Sequence, residues 1–272
     1  MKYAEEHKSL SHYIEIVLMK KAYEALAKNP ANYIPLTPIS FLQRTADIYG
    51  EREAIIYGDR SYSWGQCNER CLRMASSLTE LGISKGDTVA VLAFNTPEMF
   101  EAHFFVPMTG AVLNTINTRL DAETLAYILD FGEVKAMVVD RELLPLAQSA
   151  LQKTKSNPIL ILVDDETAVD KPDVELEVIH YEELLNSGDP KFSYPPLDDE
   201  WQALSLNYTS GTTGKPKGVV YHHRGAYLMS MGKVAGWELP NHPRYLYSVP
   251  MFHCNGWGHV WTMTLLAATV VC

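Results

Sequence analysis

Residues Tyr208 to Gly218 read Tyr-Thr-Ser-Gly-Thr-Thr-Gly-Lys-Pro-Lys-Gly, with three glycines, four short hydroxyl side chains (Thr209, Ser210, Thr212, Thr213) and two lysines. A loop of this kind can close on an anion. Glycine lets the backbone approach closely and adopt positive φ. Successive N–H groups then form a concave nest of donors. The hydroxyls add donors, and Lys215 or Lys217 adds a charge-assisted contact. A polyphosphate suits that set. The order of residues is not a Walker A loop: Gly214-Lys215 is followed by Pro216, and Thr209 stands where the first glycine of G-x-x-x-x-G-K-[ST] belongs. No G-x-G-x-x-G occurs in it either.

The flanking residues say what must hold the loop. Ala203–Asn207 and Val219–Tyr221 are short apolar runs that predict a strand on each side. Tyr208 sits at the loop's entrance, and packing beneath it is its simplest role. Upstream, the pattern alternates. Ser40–Tyr49 reads as a helix, and Ala54–Tyr57 with Ser61–Ser63 around Gly58-Asp59 as a hairpin. Trp64–Leu81 predicts a helix stopping at Gly82, Thr88–Ala93 a strand, and Pro97–Thr109 a helix with proline in its first turn. Ala111–Asn114 predicts a strand, and Asp121 caps a helix running to Asp130. Val134–Val139 and Ile159–Val163 predict strands around a helix at Glu142–Gln152. That alternation predicts an α/β fold with mostly parallel sheets flanked by helices on both faces. Asp164–Asp173 is expected to be a solvated acidic loop, and Asp198, Asp199 and Glu200 surface charges before the strand that leads into the phosphate loop.

Composition narrows the partners. The 272 residues carry 23 Lys and Arg against 33 Asp and Glu, a net charge of −10, which argues against a nucleic-acid partner. Lys215, Lys217 and Arg224 are a local cationic spot in an acidic chain and suit an anionic ligand. Cys67, Cys71, Met74 and Leu78 follow helical spacing and read as a core stripe; no cysteine spacing of a metal site occurs. His222 and His223 are adjacent, so one is read as a helix-start residue and neither as a ligand. Leu10, Tyr13, Ile14, Val17 and Leu18 predict an amphipathic helix ending near Asn29-Pro30. Its longest apolar run, Ile16–Met19, cannot cross a bilayer, so no transmembrane segment is expected there. No feature of the residues bears on oligomeric state.

The stretch 208–218 resembles the phosphate loop of the adenylate-forming enzymes: acyl-CoA synthetases, coumarate-CoA ligases, luciferases and peptide-synthetase adenylation domains. Pro250-Met251-Phe252-His253-Cys254-Asn255-Gly256-Trp257 resembles that family's next motif, and Ala111–Leu120 (AVLNTINTRL) looks most like its acyl-activating enzymes for short or medium acids. The resemblance runs from about Pro38 onward. It implies a helix and lead-in over 1–37 and part of the family's large AMP-binding N-terminal domain over 38–272. It implies ATP-dependent activation of a small carboxylic acid to an acyl-adenylate, then to an acyl-CoA, with coenzyme A as co-substrate and Mg2+ as cofactor. Thr209, Ser210, Gly211, Thr212, Thr213, Gly214 and Lys217 match the residues that hold ATP. His253 matches a position beside the acyl carboxylate and the α-phosphate, with Asn255, Gly256 and Trp257 shaping the acyl pocket.

Several family features are absent. The Gly-Tyr-Gly-x-Thr-Glu block with its magnesium-holding glutamate, the ribose-binding aspartate and the catalytic lysine all lie beyond Cys272 in the family. Ala268–Cys272 reads as a buried parallel strand, following a helix at His259–Ala267, whose crossover is not present. The chain therefore reads as the front half of something longer, inactive alone. A non-catalytic nucleotide-binding or interaction protein is the alternative. The compartment implied is cytoplasmic or peroxisomal.

Overall fold

The computed structural model describes residues 26–209 and 214–272. The helix expected from Leu10 to Leu18 lies outside the described residues. The chain divides into two compact units, Met1–Pro35 and Leu36–Cys272. In the first, residues 29–33 form a turn in which Tyr33 N–H donates to the Asn29 carbonyl at 2.9 Å, and Lys28 Nζ lies 4.0 Å from the Tyr33 ring centroid.

The second unit opens with α1 (Ile39–Tyr49) and the hairpin β1 (Glu53–Tyr57) and β2 (Arg60–Ser63). Next come α2 (Trp64–Glu80), β3 (Thr88–Leu92), α3 (Pro97–Met108), β4 (Val112–Thr115), α4 (Ala122–Phe131) and β5 (Val134–Asp140). Local chemistry explains the starts of the helices. Ser63 and Gln66 form a reciprocal capping box on α2, Thr96 caps α3 ahead of Pro97, and Asp121 accepts from Thr124 N–H at 2.8 Å on α4. The helix expected at Glu142–Gln152 splits into a 3-10 turn, Arg141–Leu143, and α5 (Leu144–Leu151), because Asp140 caps the first turn and Pro145 starts the second. Strand β6 (Ile159–Val163) follows, and then two elements with no sequence signal, β7 (Ile179–His180) and α6 (Tyr181–Ser187). The chain continues through β8 (Ala203–Thr209), β9 (Lys217–His222), α7 (His223–Gly236), β10 (Arg244–Leu246), α8 (His259–Leu265) and β11 (Thr269–Val271).

Seven strands form one sheet in the order β7-β6-β5-β3-β4-β8-β9, parallel except for β9. Strand β3, Thr-Val-Ala-Val-Leu, is buried throughout, and its alternating side chains serve two cores. Val89 and Val91 face a core with Ala136, Val138 and Ile161; Ala90 and Leu92 face another with Met137, Val139 and Leu162. Helices therefore cover both faces, as the alternating pattern predicts. Cys67, Cys71, Met74 and Leu78 are fully buried on α2, as their spacing predicts.

The smaller sheet has the order β10-β11-β1-β2. Strand β11 lies between β10 and β1, parallel to both, so it is interior and presents no edge. Helix α3 is buried along its whole length and meets Trp64, Tyr181 and Trp261 through ring contacts of Phe100, Phe105 and His103. Its carboxylates are paired: Arg60 Nη1 donates to Glu98 at 2.7 Å, and Arg70 Nε to Glu101 at 2.5 Å.

Two acidic expectations need correction. Asp165, in the loop expected to be solvated, is buried, accepting from Tyr57 Oη and from Thr167 N–H at 2.8 Å. Glu200 is no mere surface charge: it accepts from Leu36 N–H at 2.8 Å and from Arg224. Each carboxylate has a donor that the sequence places far from it, Tyr57 for Asp165 and Leu36 for Glu200.

Burial holds the imidazoles of His103, His223 and His259 at pKa values of about 4, well below their ordinary 6.5. These groups stay neutral in the folded chain while the unfolded chain takes up protons below pH 6.5. Stability is therefore full above that value and is lost as pH falls from about 6.5 toward 4. Urea midpoints measured at pH 7.5, 6 and 5 are expected to fall in that order; a flat profile contradicts the neutral, buried state of the three rings.

Candidate active site

The phosphate-loop candidate joins β8 to β9 as a hairpin. Thr209 pairs with Lys217, Tyr208 with Gly218 and Asn207 with Val219. Ser210, Gly211, Thr212 and Thr213 lie outside the described residues. Gly214 has φ +114°, a conformation that favours glycine, and open space where a Cβ would stand. Across the hairpin, a Cβ on Gly218 would come within 3.0 Å of the Leu206 side chain. Lys217, Val219 and Tyr221 share one face of β9. Of the cations expected to meet an anion, Arg224 is committed to Glu200, and Lys215 Nζ lies 5.1 Å from the Tyr127 ring centroid. His222 starts α7: its Nδ1 accepts from Gly225 N–H at 2.7 Å, and its ring stacks on Trp201 at 4.2 Å.

The second motif lies against the hairpin. Cys254, Asn255, Gly256, Trp257 and Gly258 all have positive φ, from +44° to +67°, a run that only tertiary contacts can hold for the three non-glycine residues. Asn255 supplies many of those contacts. Its Oδ1 accepts from Ser205 Oγ and Asn207 Nδ2, both at 2.6 Å, and its Nδ2 donates to Thr115 Oγ1 at 3.2 Å. Thr115 Oγ1 in turn donates to the Phe252 carbonyl at 2.8 Å, and Tyr247 Oη to the Gly256 carbonyl at 2.7 Å. Asn95, just past β3, donates to the Tyr247 and Val249 carbonyls and accepts from Met251 N–H at 2.7 Å. The motif is thus pinned to the segment just past β3, the end of β4 and the middle of β8. Sequence reasoning assigned no role to Asn95, Thr115, Ser205, Asn207 or Tyr247.

Between hairpin and motif lies a cavity of about 510 Å³. Thr209, Gly214, Pro216 and Tyr221 line it from the hairpin side, His253 and Cys254 from the motif, and Asn114, Asn117 and Thr124 from the sheet and α4. Both side-chain polar atoms of Asn114, Oδ1 of Asn207 and Oη of Tyr208 are buried there without a hydrogen-bond partner among the described residues. Burial raises the Tyr208 hydroxyl to about 12, so it remains a donor. Such groups suit a polar ligand. Tyr221 and Cys254 also border a second cavity of about 550 Å³, whose walls include Val220, Met229 and Trp257. His253 and Trp257 are exposed and line cavities, whereas Asn255 and Gly256 are buried behind the wall and hold it in place. Among the described residues no Asp or Glu lines either cavity, and no group of three His, Cys, Asp or Glu could hold a metal ion. The described residues do not fit a magnesium site. No helix among them is long and apolar enough to cross a membrane.

Comparison with known proteins agrees with this geometry. The acetate–CoA ligase CCL3 of Humulus lupulus is 46% identical over 257 residues, covering 91% of this chain and 45% of that protein. The peroxisomal trans-cinnamate:CoA ligase of Petunia hybrida is 46% identical over 266 residues, covering 92% and 46%. The chain thus spans about half the length of the curated relatives it matches. Among solved structures, an anthranilate CoA ligase with bound anthranoyl-AMP has the same fold at 20% identity and TM-score 0.77, over 90% of this chain and 46% of that one. The N-terminal domain of FACL13 from Mycobacterium tuberculosis aligns at 26% identity and TM-score 0.72, over 87% and 56%. The sequence description of AMP-binding enzymes matches residues 42–272, so the chain belongs to the AMP-binding enzyme family.

Proposed function

We propose that residues 38–272 form the ATP- and acid-binding part of an acid–thiol ligase that converts a small carboxylic acid to its acyl-adenylate and then to its acyl-CoA. The observation that carries this reading is the junction of two cavities at Tyr221 and Cys254, one bordered by the hairpin loop and the more polar of the two, the other largely apolar. An acid in the apolar cavity presents its carboxylate at the junction, where an ATP lying along the loop presents its α-phosphorus. A carboxylate oxygen attacks that phosphorus, the bond to the bridging oxygen breaks, and pyrophosphate leaves with the electron pair. Charge gathers on the leaving group, so fixed donors there lower the barrier. Thr209, Ser210, Gly211, Thr212, Thr213, Gly214 and Lys217 supply those donors in this reading. His253, on the wall beside Cys254, donates a hydrogen bond to the carboxylate or α-phosphate. Trp257 bounds the acyl group, while Asn255 and Gly256 fix the segment that carries both. In the second half-reaction the thiol of coenzyme A attacks the acyl carbon and AMP leaves. The names of the relatives, for acetate and trans-cinnamate among others, support a small acid, and that of the trans-cinnamate ligase supports a peroxisomal setting.

Exchange of labelled pyrophosphate into ATP tests this. Residues 1–272 alone are expected to show no acid-dependent exchange. A chimera joining them to the C-terminal half of one of the matching ligases is expected to show it. A folded chimera with no exchange, or robust exchange by residues 1–272 alone, contradicts the proposal.

A further inference from the structure

The apolar cavity runs along one face of α7. Gly225, Met229 and Lys233 recur every four residues, so they lie above one another on the helix and all line the cavity. The eight steps from Gly225 to Lys233 rise about 12 Å. The wall along that length is apolar, with Val220, Ala226, Met229 and Trp257. Lys233 breaks the pattern. Its Nζ is buried and has no hydrogen-bond partner among the described residues. A Cβ placed on Gly258 would lie 3.6 Å from it, so the ammonium sits against the motif's left-handed turn. The Trp237 ring, with its centroid 5.4 Å away, attracts the charge but accepts none of its N–H donors in the way an oxygen does. Nearby, Nδ1 of the buried His259 also lacks a partner among the described residues, and the His259 ring lies against Trp237, with centroids 5.2 Å apart. Burial lowers the proton affinity of Lys233, which is the cost of holding a charge with nothing to balance it.

An apolar channel with a cation at its far end is matched to a ligand that is apolar along its length and accepts hydrogen bonds at its tip. We infer that the acid activated here is a medium-chain dicarboxylic acid, one carboxylate at the junction of the cavities and the distal one paired with Lys233. This rests on the reading of the apolar cavity as the acyl pocket. Lys233 takes no part in the bond-making steps; it selects among acids by what it leaves paired or unpaired. An alkanoate of the same length would fill the channel and leave the ammonium unsatisfied.

Titration calorimetry on residues 1–272 with suberate and octanoate tests the inference. Suberate is expected to bind about ten- to a hundredfold more tightly than octanoate, the range for a charge-assisted pair. Lys233→Met is expected to reverse the preference while still binding octanoate, which shows that the variant is folded. Lys233→Arg is expected to keep the preference for suberate. Equal affinities in the unaltered chain, or a ratio that Lys233→Met leaves unchanged, overturn the inference and leave the acyl-pocket reading standing. Binding of neither acid overturns both the acyl-pocket reading and the inference, while pyrophosphate exchange by the chimera judges the adenylation reading separately.

Discussion

Lys217→Ala, introduced into an exchange-competent chimera, is expected to lower kcat for adenylation by about 10²–10³-fold, the loss typical of removing one fixed donor from a developing charge. Lys217 is the first residue of β9, and its backbone is fixed by pairing with Thr209. Its side chain shares a face with Val219 and Tyr221, both of which line the polar cavity. Negative charge builds on the leaving pyrophosphate as its bond to the α-phosphorus breaks, so the effect falls on kcat and leaves KM for the acid nearly unchanged. Steady-state exchange rates at saturating ATP measure this. A kcat within threefold of the unaltered chimera refutes the role.

Arg70→Met is expected to destabilise the second unit by about 3–5 kcal/mol, because it strands a buried carboxylate. Glu101 lies on the fully buried α3 and is itself 0% exposed. Arg70 holds it with two donors, Nε at 2.5 Å and Nη2 at 3.2 Å, and Tyr181 Oη donates a third bond at 2.8 Å. Burial pushes the Glu101 carboxyl up, against the pull of Arg70, so without the guanidinium the charge is held by a single phenol. Adding Glu101→Leu to Arg70→Met is expected to restore most of the loss, since the pair can be replaced by apolar groups at small net cost. Urea unfolding of the single and double variants gives both numbers. A single-variant loss under 1 kcal/mol contradicts the account of α3.

The parts of this fold that were legible in the sequence are those whose signals are local. Strands β3 and β6 are almost wholly apolar, β5 carries the apolar run Ala136–Val139, and α2, α3 and α4 announce themselves through Ser63, Thr96-Pro97 and Asp121. Elements defined by distant pairing were not legible. Strand β10 is three largely solvent-facing residues that exist as a strand because β11 lies beside them. Strand β7 pairs two residues with β6, and α6 is seven residues long with Tyr181 anchored to Glu101, 80 positions away. The candidate site divides the same way. The hairpin loop and residues 250–257 stand out by composition and spacing. Their supports do not: Asn255 meets Thr115 across 140 positions, and Met251 meets Asn95 across 156. Lys233 reads as an ordinary helical lysine until the burial of its Nζ is seen.

The most direct test of the central claim is a titration of residues 1–272 with ATP, AMP and inorganic tripolyphosphate, repeated on Lys217→Ala. If the hairpin loop grips the phosphate tail, ATP and tripolyphosphate bind, AMP binds at least tenfold more weakly, and Lys217→Ala weakens the first two without changing the third. AMP binding as tightly as ATP, or tripolyphosphate binding that Lys217→Ala leaves untouched, would contradict it.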